Sequence, residues 1–265
     1  MNLIESIKEI AVGAGEIMKS ASDIHPSEAK AGHANFVTRY DAMVQEYLEG
    51  RLSALLPEAT FVAEEEGQEV FKEEDKTGFT FVIDPIDGTS NFMKGLRPSV
   101  TSIGLLKDGM PYIGVVYDPY SDSMFYAEKG HGAFLNGKRI MSSDSPLSES
   151  LVSMGTAPYY EEEVSRSAFL LGHYYLTHSI DIRRSGSAAF DICLVASGVT
   201  GMFYEPRLCL WDYAAGACIL EEAGGKITDF HGDPIPFTGK SQVLAASRGV
   251  VEGGNYLPPS ELTAF

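Results

Sequence analysis

Cysteine is scarce: the 265 residues hold three, Cys193, Cys209 and Cys218. None belongs to a CxxC pair and the count is odd, which disfavours a disulfide framework and reads as buried thiols in a reducing compartment. Positive charge is scarce too. Twenty Lys and Arg stand against 37 Asp and Glu, a formal net charge of −17. Such a surface repels a phosphate polymer, so a nucleic-acid partner is not expected. A small phosphate ester is not excluded, because bound metal can offset its charge locally. No run approaches the roughly 18 apolar residues that span a bilayer. The start, Met-Asn-Leu-Ile-Glu-Ser, lacks the basic-then-apolar order of a secretory leader. These absences predict a cytoplasmic protein with no membrane partner. The six histidines include no HExxH, and GxSxG, GxGxxG and the P-loop are all missing. Hydrophobic residues, at 44%, are sufficient for a sizeable core.

The most informative stretch runs from Phe79 to Thr89, Phe-Thr-Phe-Val-Ile-Asp-Pro-Ile-Asp-Gly-Thr. It reads as a buried strand ending in two carboxylates, a glycine and a hydroxyl. Pro85 cannot donate to a sheet ladder, so the strand is expected to stop near Asp84. Asp84 and Asp87, fixed three positions apart, suit a hard divalent cation such as Mg2+. The N–H groups of Gly88 and Thr89 could hold a phosphate at a helix start. The competing reading is a plain turn, since Asp, Pro and Gly are all turn residues. Two further segments end in acids: Phe61-Val62-Ala63-Glu64-Glu65-Glu66-Gly67, and Leu208 through Trp211-Asp212 into Ala214-Ala215-Gly216.

Around these motifs, Leu3, Ile7, Ile10, Ala14 and Ile17 predict a helix over 2–20, followed by a polar loop from Ser22 to Asn35. Thr38 is a candidate N-cap for a second helix carrying Val44, Leu48 and Leu52. Strands are expected near 60–63, 79–84, 99–107 and 112–117, with a hairpin from Tyr126 to Ile140 turning at Asn136-Gly137. Glu73-Glu74-Asp75 and Glu161-Glu162-Glu163 read as exposed faces. Ser142 to Pro146 is the candidate linker between an N-terminal α+β part (1–143) and a C-terminal α/β part (144–265). In the latter, helices near 161–171, 187–197 and 212–223 alternate with strands near 179–183, 202–204 and 243–246, which predicts layered sheets and helices.

Together the Glu64-Glu65 strand end, Asp84-Pro-Ile-Asp-Gly-Thr-Ser-Asn-Phe92, Gly186-Ser187-Ala188-Ala189, Trp211-Asp212 through Gly216, and Glu222-Ala223-Gly224-Gly225 resemble the inositol monophosphatase family. That family lies within the wider Mg2+-dependent, lithium-sensitive sugar-phosphatase superfamily. The resemblance implies an α-β-α-β-α layered sandwich, usually a homodimer, that hydrolyses a small phosphorylated polyol with two or three Mg2+ ions. By the same resemblance Glu64, Asp84 and the Ile86 carbonyl hold one metal, and Asp84, Asp87 and Asp212 a second. Glu64, Thr89 and Asp87 are the catalytic set, with Thr89 and Glu64 orienting the attacking water. Gly88 and Thr89 cradle the phosphate; Gly186, Ser187, Ala188 and Glu205 contact the substrate. Lys30 and Asp41 fall at a mobile loop and its anchor.

Each residue also has a plainer reading: an N-cap for Asp212, a turn hydroxyl for Thr89, a solvated strand end for Glu205, a solvated loop residue for His33 and a core wedge for Trp211. The chain departs from the pattern at Ala63, where Gly is usual, at Asn35, where Asp is common, and in a C-terminal stretch lacking the helix many relatives end with. Histidinol phosphate, fructose 1,6-bisphosphate and 3′(2′),5′-bisphosphate nucleotides are alternative substrates on this scaffold. A reading from another class is a regulatory binding protein without turnover.

Overall fold

A computed structural model describes residues 2–22, 24, 26–29, 36–65, 71–158 and 160–262. Lys30, His33, Asn35, Glu66 and Gly67 lie outside the described residues. The chain opens with α1 (Leu3–Lys19), the antiparallel pair β1 (Pro26–Ala29) and β2 (Phe36–Thr38), and α2 (Arg39–Leu55). Then come β3 (Thr60–Ala63), β4 (Phe79–Asp87), α3 (Thr89–Lys94), β5 (Val100–Lys107), β6 (Met110–Asp118), β7 (Ser123–Glu128), β8 (Gly132–Leu135) and β9 (Lys138–Ile140). The later part holds β10 (Leu151–Met154), α4 (Glu162–Leu176), β11 (Asp181–Arg183), α5 (Ala188–Ala196), β12 (Met202–Leu208), α6 (Leu210–Glu222), β13 (Lys226–Thr228), β14 (Ser241–Ala246) and α7 (Arg248–Gly253). β3 to β9 form a seven-stranded sheet in sequence order; a five-stranded sheet runs β11-β10-β12-β14-β13.

The period of two along each strand decides the layering. In β4, Phe81 and Ile83 face one side, where Ile7 of α1 and Val44, Leu48 and Leu52 of α2 cover them. Val82 faces the other side, with Ile192 of α5 and Ala215 and Ile219 of α6. The inner face of the second sheet, Phe203, Val243 and Ala245, closes the same core from beyond those helices. Its outer face, Met202, Tyr204 and Leu244, packs on Leu171 and Tyr175 of α4. The result is the five-layer α-β-α-β-α sandwich expected. Because α6 lies between two sheets it cannot be amphipathic: every residue from Tyr213 to Leu220 is buried. Among the described residues no helix is long and apolar enough to cross a membrane.

Several local expectations are corrected. β4 does not stop at Asp84. It continues to Asp87 through a bulge, since Asp84 pairs with Ser102 and Asp87 with Val100. Two residues, Pro85 and Ile86, thus oppose one, and an unpaired bulge position has no use for the N–H that proline lacks. The segment 126–140 is the end of β7 plus β8 and β9, three strands and not a single hairpin, although Asn136-Gly137 does make the β8–β9 turn. The supposed loop after Ser22 contains β1, and β10 and β13 were not anticipated; four or three residues carry too little periodicity to announce a strand. Asp75 is buried, not exposed: its carboxylate accepts the Lys72 N–H at 2.6 Å and closes a helical turn.

Candidate active site

The β4 bulge shapes the site. Asp84, buried at the last regular pair, accepts the Ile86 N–H at 3.0 Å on Oδ1, which folds the backbone back on its own side chain. Gly88 then takes φ +91 as the N-cap of α3; a Cβ there would lie 3.2 Å from both the Gly186 and Pro98 carbonyl oxygens, so only glycine fits. Thr89 opens the helix with its hydroxyl held twice, by Asp41 Oδ1 at 3.1 Å and the Ile86 carbonyl at 3.0 Å. Asp41 is fully buried and also accepts from the Thr38 N–H at 2.8 Å and the Thr38 hydroxyl at 2.5 Å. The cap of α2 therefore positions a residue 48 positions away.

The second sheet supplies the facing wall. Asp212 does not begin α6 as an N-cap: the cap is Cys209, and Asp212, three residues in, accepts the Cys209 N–H at 2.6 Å. That reciprocal bond fixes the carboxylate while leaving it on the cavity. Asp87 is gripped by the start of α5, taking the Ser187 hydroxyl and the Ala189 N–H, each at 2.7 Å, and the Ala188 N–H at 3.3 Å. The Gly186–Ala188 turn, expected to face substrate, thus spends these donors on Asp87 while also lining the cavity.

Asp84, Asp87 and Asp212 each present a carboxylate oxygen within 4.8 Å of the others. Burial pushes the Asp84 carboxyl well above its ordinary range, and the charges of Glu64, Asp87 and Asp212 push it further. Burial likewise raises Asp212, helped by Asp87 and Glu64. Asp87 rises to about 6, burial outweighing the donors of α5. Among the described residues none of the three ion-pairs with Lys or Arg. Converging oxygen donors with unrelieved repulsion fit a hard divalent cation, which removes the repulsion without a protein cation.

Glu205 is buried in β12, opposite Val243, and not at a solvated strand end. Its Oε1 accepts the Ala157 N–H at 2.9 Å. Ala157 holds φ +43 to aim that group, and a Cβ on Gly155 would lie 2.0 Å from Glu205 Oε2. The Gly155–Ala157 backbone is therefore moulded around this carboxylate. Burial raises Glu205 to about 7, opposed by Ala157 and by the Arg184 guanidinium.

A cavity of about 580 Å3 unites these groups. Glu64, Asp84, Ile86, Asp87, Gly88, Thr89, Gly186, Ser187, Ala188, Glu205 and Asp212 all line it, although they come from both sheets. The profile of the Inositol monophosphatase family matches residues 2–260. The chain belongs to the inositol monophosphatase family. It is 38% identical over 209 residues to Inositol monophosphatase 2 of Saccharomyces cerevisiae, covering 74% of this chain and 70% of the yeast protein. It is 34% identical over 226 residues to the Nus factor SuhB of Pasteurella multocida, covering 85% of this chain and 83% of that one. The solved inositol monophosphatase from Anabaena (Nostoc) sp. superposes with a TM-score of 0.78 at 30% identity, covering 93% of this chain and 90% of the other.

As an inositol monophosphatase family member the chain is a phosphatase of a metal-dependent class, and its acidic cluster is where a metal fits. Some lining residues went unseen in the sequence. Arg184, Arg207, Lys240, Tyr160 and Asp191 reach the cavity from separate loops and elements without a shared motif. Asp41 had a signal of its own, Thr38-x-x-Asp41 ahead of an apolar-periodic run, but its bond to Thr89 needed the fold. Cys209, read as a buried thiol, is half-buried on the cavity wall, and Trp211 lines the cavity as well as packing on the core.

Proposed function

We propose that the chain hydrolyses the phosphate monoester of a small polyol, myo-inositol monophosphate or a close analogue, with Mg2+ as its cofactor. The convergence of Asp84, Asp87 and Asp212 in one cavity carries this reading. These three would hold one ion, with Glu64, Asp84 and the Ile86 carbonyl around another. Bound there, the metal would supply charge neutralisation for the phosphate and acidify water.

The protein's own groups do the rest. Asp41 and the Ile86 carbonyl engage the Thr89 hydroxyl hydrogen, which leaves oxygen lone pairs to accept from a water beside the phosphorus. Glu64 lines the same cavity and would orient that water. The water oxygen bonds to phosphorus, the ester P–O bond breaks, and a proton passes to the departing alkoxide, giving alcohol and inorganic phosphate. The N–H groups of Gly88 and Thr89 would receive the phosphate oxygens, and Glu205 would accept hydrogen bonds from ring hydroxyls. The reading carries with it a cytoplasmic, lithium-sensitive homodimer, with the Gly186–Ala188 turn beside the substrate.

Purified protein should release phosphate from myo-inositol monophosphate, lose that activity in a chelator and regain it with Mg2+. Full activity in metal-free buffer would refute the assignment. The Nus factor name of a relative favours one second reading, a regulatory binding protein without turnover. Absence of phosphate release from any polyol phosphate, with Mg2+ present, would favour it.

A further inference from the structure

The start of α5, which grips Asp87, is itself held from behind. Its path runs from Ser185 through Gly186 to Ser187, whose hydroxyl meets Asp87 Oδ2 at 2.7 Å. Ser187 donates its N–H to the Ser185 hydroxyl oxygen at 3.0 Å, and that hydroxyl donates to Asp191 Oδ2 at 2.7 Å. The Ser185 carbonyl is taken from the other half of the chain: Asn91 of α3 donates to it from Nδ2 at 2.8 Å. The same nitrogen donates to the Pro98 carbonyl at 2.8 Å. Two carbonyl acceptors fix which way the amide points, since only its nitrogen can donate.

The segments that Asn91 joins are the two that flank Gly88, where a Cβ would meet the Gly186 and Pro98 carbonyls. Gly186 also leaves room for the amide: a Cβ there would lie 3.1 Å from both its nitrogen and its oxygen. Asn91 is buried, yet it sits behind the cavity wall and not on it. Helix formation does not ask for this residue. Asparagine is a poor helix former, and burying its amide costs free energy unless the amide is bonded. In a helix of six residues, its place is explained by the two bonds across to Pro98 and Ser185.

We propose that Asn91 is a positioning residue for the acidic cluster. By holding the Ser185 carbonyl it sets the Gly186 turn, and through Ser187 it fixes how Asp87 faces Asp84 and Asp212. Without the amide the turn can shift, and the Ser187 hydroxyl leaves the Asp87 carboxylate. The inference rests on the metal reading above and adds to it a residue from outside the cavity. Groups that orient a metal-binding side chain in this way are worth roughly ten- to a hundredfold in metal affinity.

The test is a calorimetric titration of the purified full chain with Mg2+, in the absence of substrate. Asn91→Leu fills similar space with no donor, and Asn91→Ala removes the donor without added bulk. Either should weaken Mg2+ binding by at least about tenfold, and half-maximal phosphate release should need correspondingly more Mg2+. Ser187→Ala should weaken binding too. Asn91→Leu/Ser187→Ala should be no weaker than the worse single change, because both act on the Ser187–Asp87 bond. A urea melt in metal-free buffer separates positioning from support of the fold: a merely structural residue would lower the melt and leave the Mg2+ affinity of the folded protein unchanged. Native Mg2+ affinity in a folded Asn91 variant, losses that simply add, or failure of both Asn91 variants to fold would overturn the proposal. A native protein that binds no Mg2+ would sink the metal reading and this inference with it, whereas Mg2+ binding that the variants share undiminished overturns the inference alone.

Discussion

Replacing Asp41 by Asn tests how the Thr89 hydroxyl is set. In the native protein one carboxylate oxygen serves the α2 cap, taking the Thr38 N–H and hydroxyl, and the other takes the Thr89 hydroxyl at 3.1 Å. Asparagine can keep its carbonyl toward Thr38, which preserves the cap. Its amide then faces Thr89 as a donor. The threonine hydrogen must turn wholly to the Ile86 carbonyl, and its lone pairs meet the amide in place of a water. A hydrogen bond to a charged group contributes roughly 1.5–3 kcal/mol. At about 1.4 kcal/mol per factor of ten, kcat should fall by roughly ten- to a hundredfold. KM should change little, because Asp41 touches no substrate. Phosphate release at saturating inositol monophosphate measures the loss, and a urea melt checks that the α2 cap holds. Thr89→Ala should cause a similar loss, and Asp41→Asn/Thr89→Ala should be no worse than the worse single change. Native kcat in a folded Asp41→Asn protein, or losses that simply add, would refute the coupling.

Three more outcomes are expected. Glu205→Ala should lower kcat/KM for an inositol phosphate by about tenfold or more, and lower it less for glycerol 2-phosphate, which lacks ring hydroxyls; equal losses would make Glu205 a support of the metal cluster. Gly155→Ala places a methyl 2.0 Å from Glu205 Oε2, so the carboxylate must move; a urea melt should show about 1–3 kcal/mol lost, and an unchanged melt would mean the Gly155–Ala157 loop yields freely. Asp191 is raised by burial from 3.8 to about 7. The unfolded chain ionises this acid from about pH 4 while the folded chain holds the proton to about pH 7, so stability falls as pH rises through that window. From about pH 5 to about pH 8 the wild type should lose about 3 kcal/mol at this group, and Asp191→Asn should remove that slope in metal-free urea melts; an unchanged slope would locate the effect elsewhere.

What sequence could reveal here was set by distance along the chain. The long helices α1 and α2 were readable because apolar spacing repeats over several turns, and β4 because a β-branched run is hard to mistake. The acids that line the cavity were readable through motifs that keep them close in sequence, Asp84 to Thr89 above all. Glu205 could be placed only by its seven-residue spacing from Asp212. Partnerships across the chain were not readable. Thr89 with Asp41, Asp87 with Ser187, Ala188 and Ala189, and Glu205 with Ala157 span 48 to 102 positions. No periodicity reports such pairs. The basic wall was missed for the same reason, since Arg184, Arg207 and Lys240 become neighbours of one cavity only through the second sheet.

The misjudged proline explains more than one strand end. Asp84 is followed by Pro85 and Glu205 by Pro206, and in both places the strand bulges immediately after the acid. A regular strand would place the residue after each acid on the opposite face and carry the chain away. The bulge adds one residue, and proline occupies the unpaired position at no cost in ladder bonds. After Asp84 the extra residue makes room for the Ile86 turn and lets Asp87 rejoin the sheet beside it. After Glu205 it puts Arg207 on the cavity that Glu205 lines. At Asp84 and Glu205 the acid followed by proline therefore marks a strand that is bent to present a site, whereas β6 does end at Asp118, before Pro119. Neither sheet alone holds both bulges. The α5 start, with Ser187 and Ala189 bound to Asp87, ties the first bulge to the half of the chain that carries the second. The carboxylates and the cations opposite them are thus fixed by the packing of the two sheets around α5 and α6, and the loosening of either sheet should cost activity before it costs secondary structure.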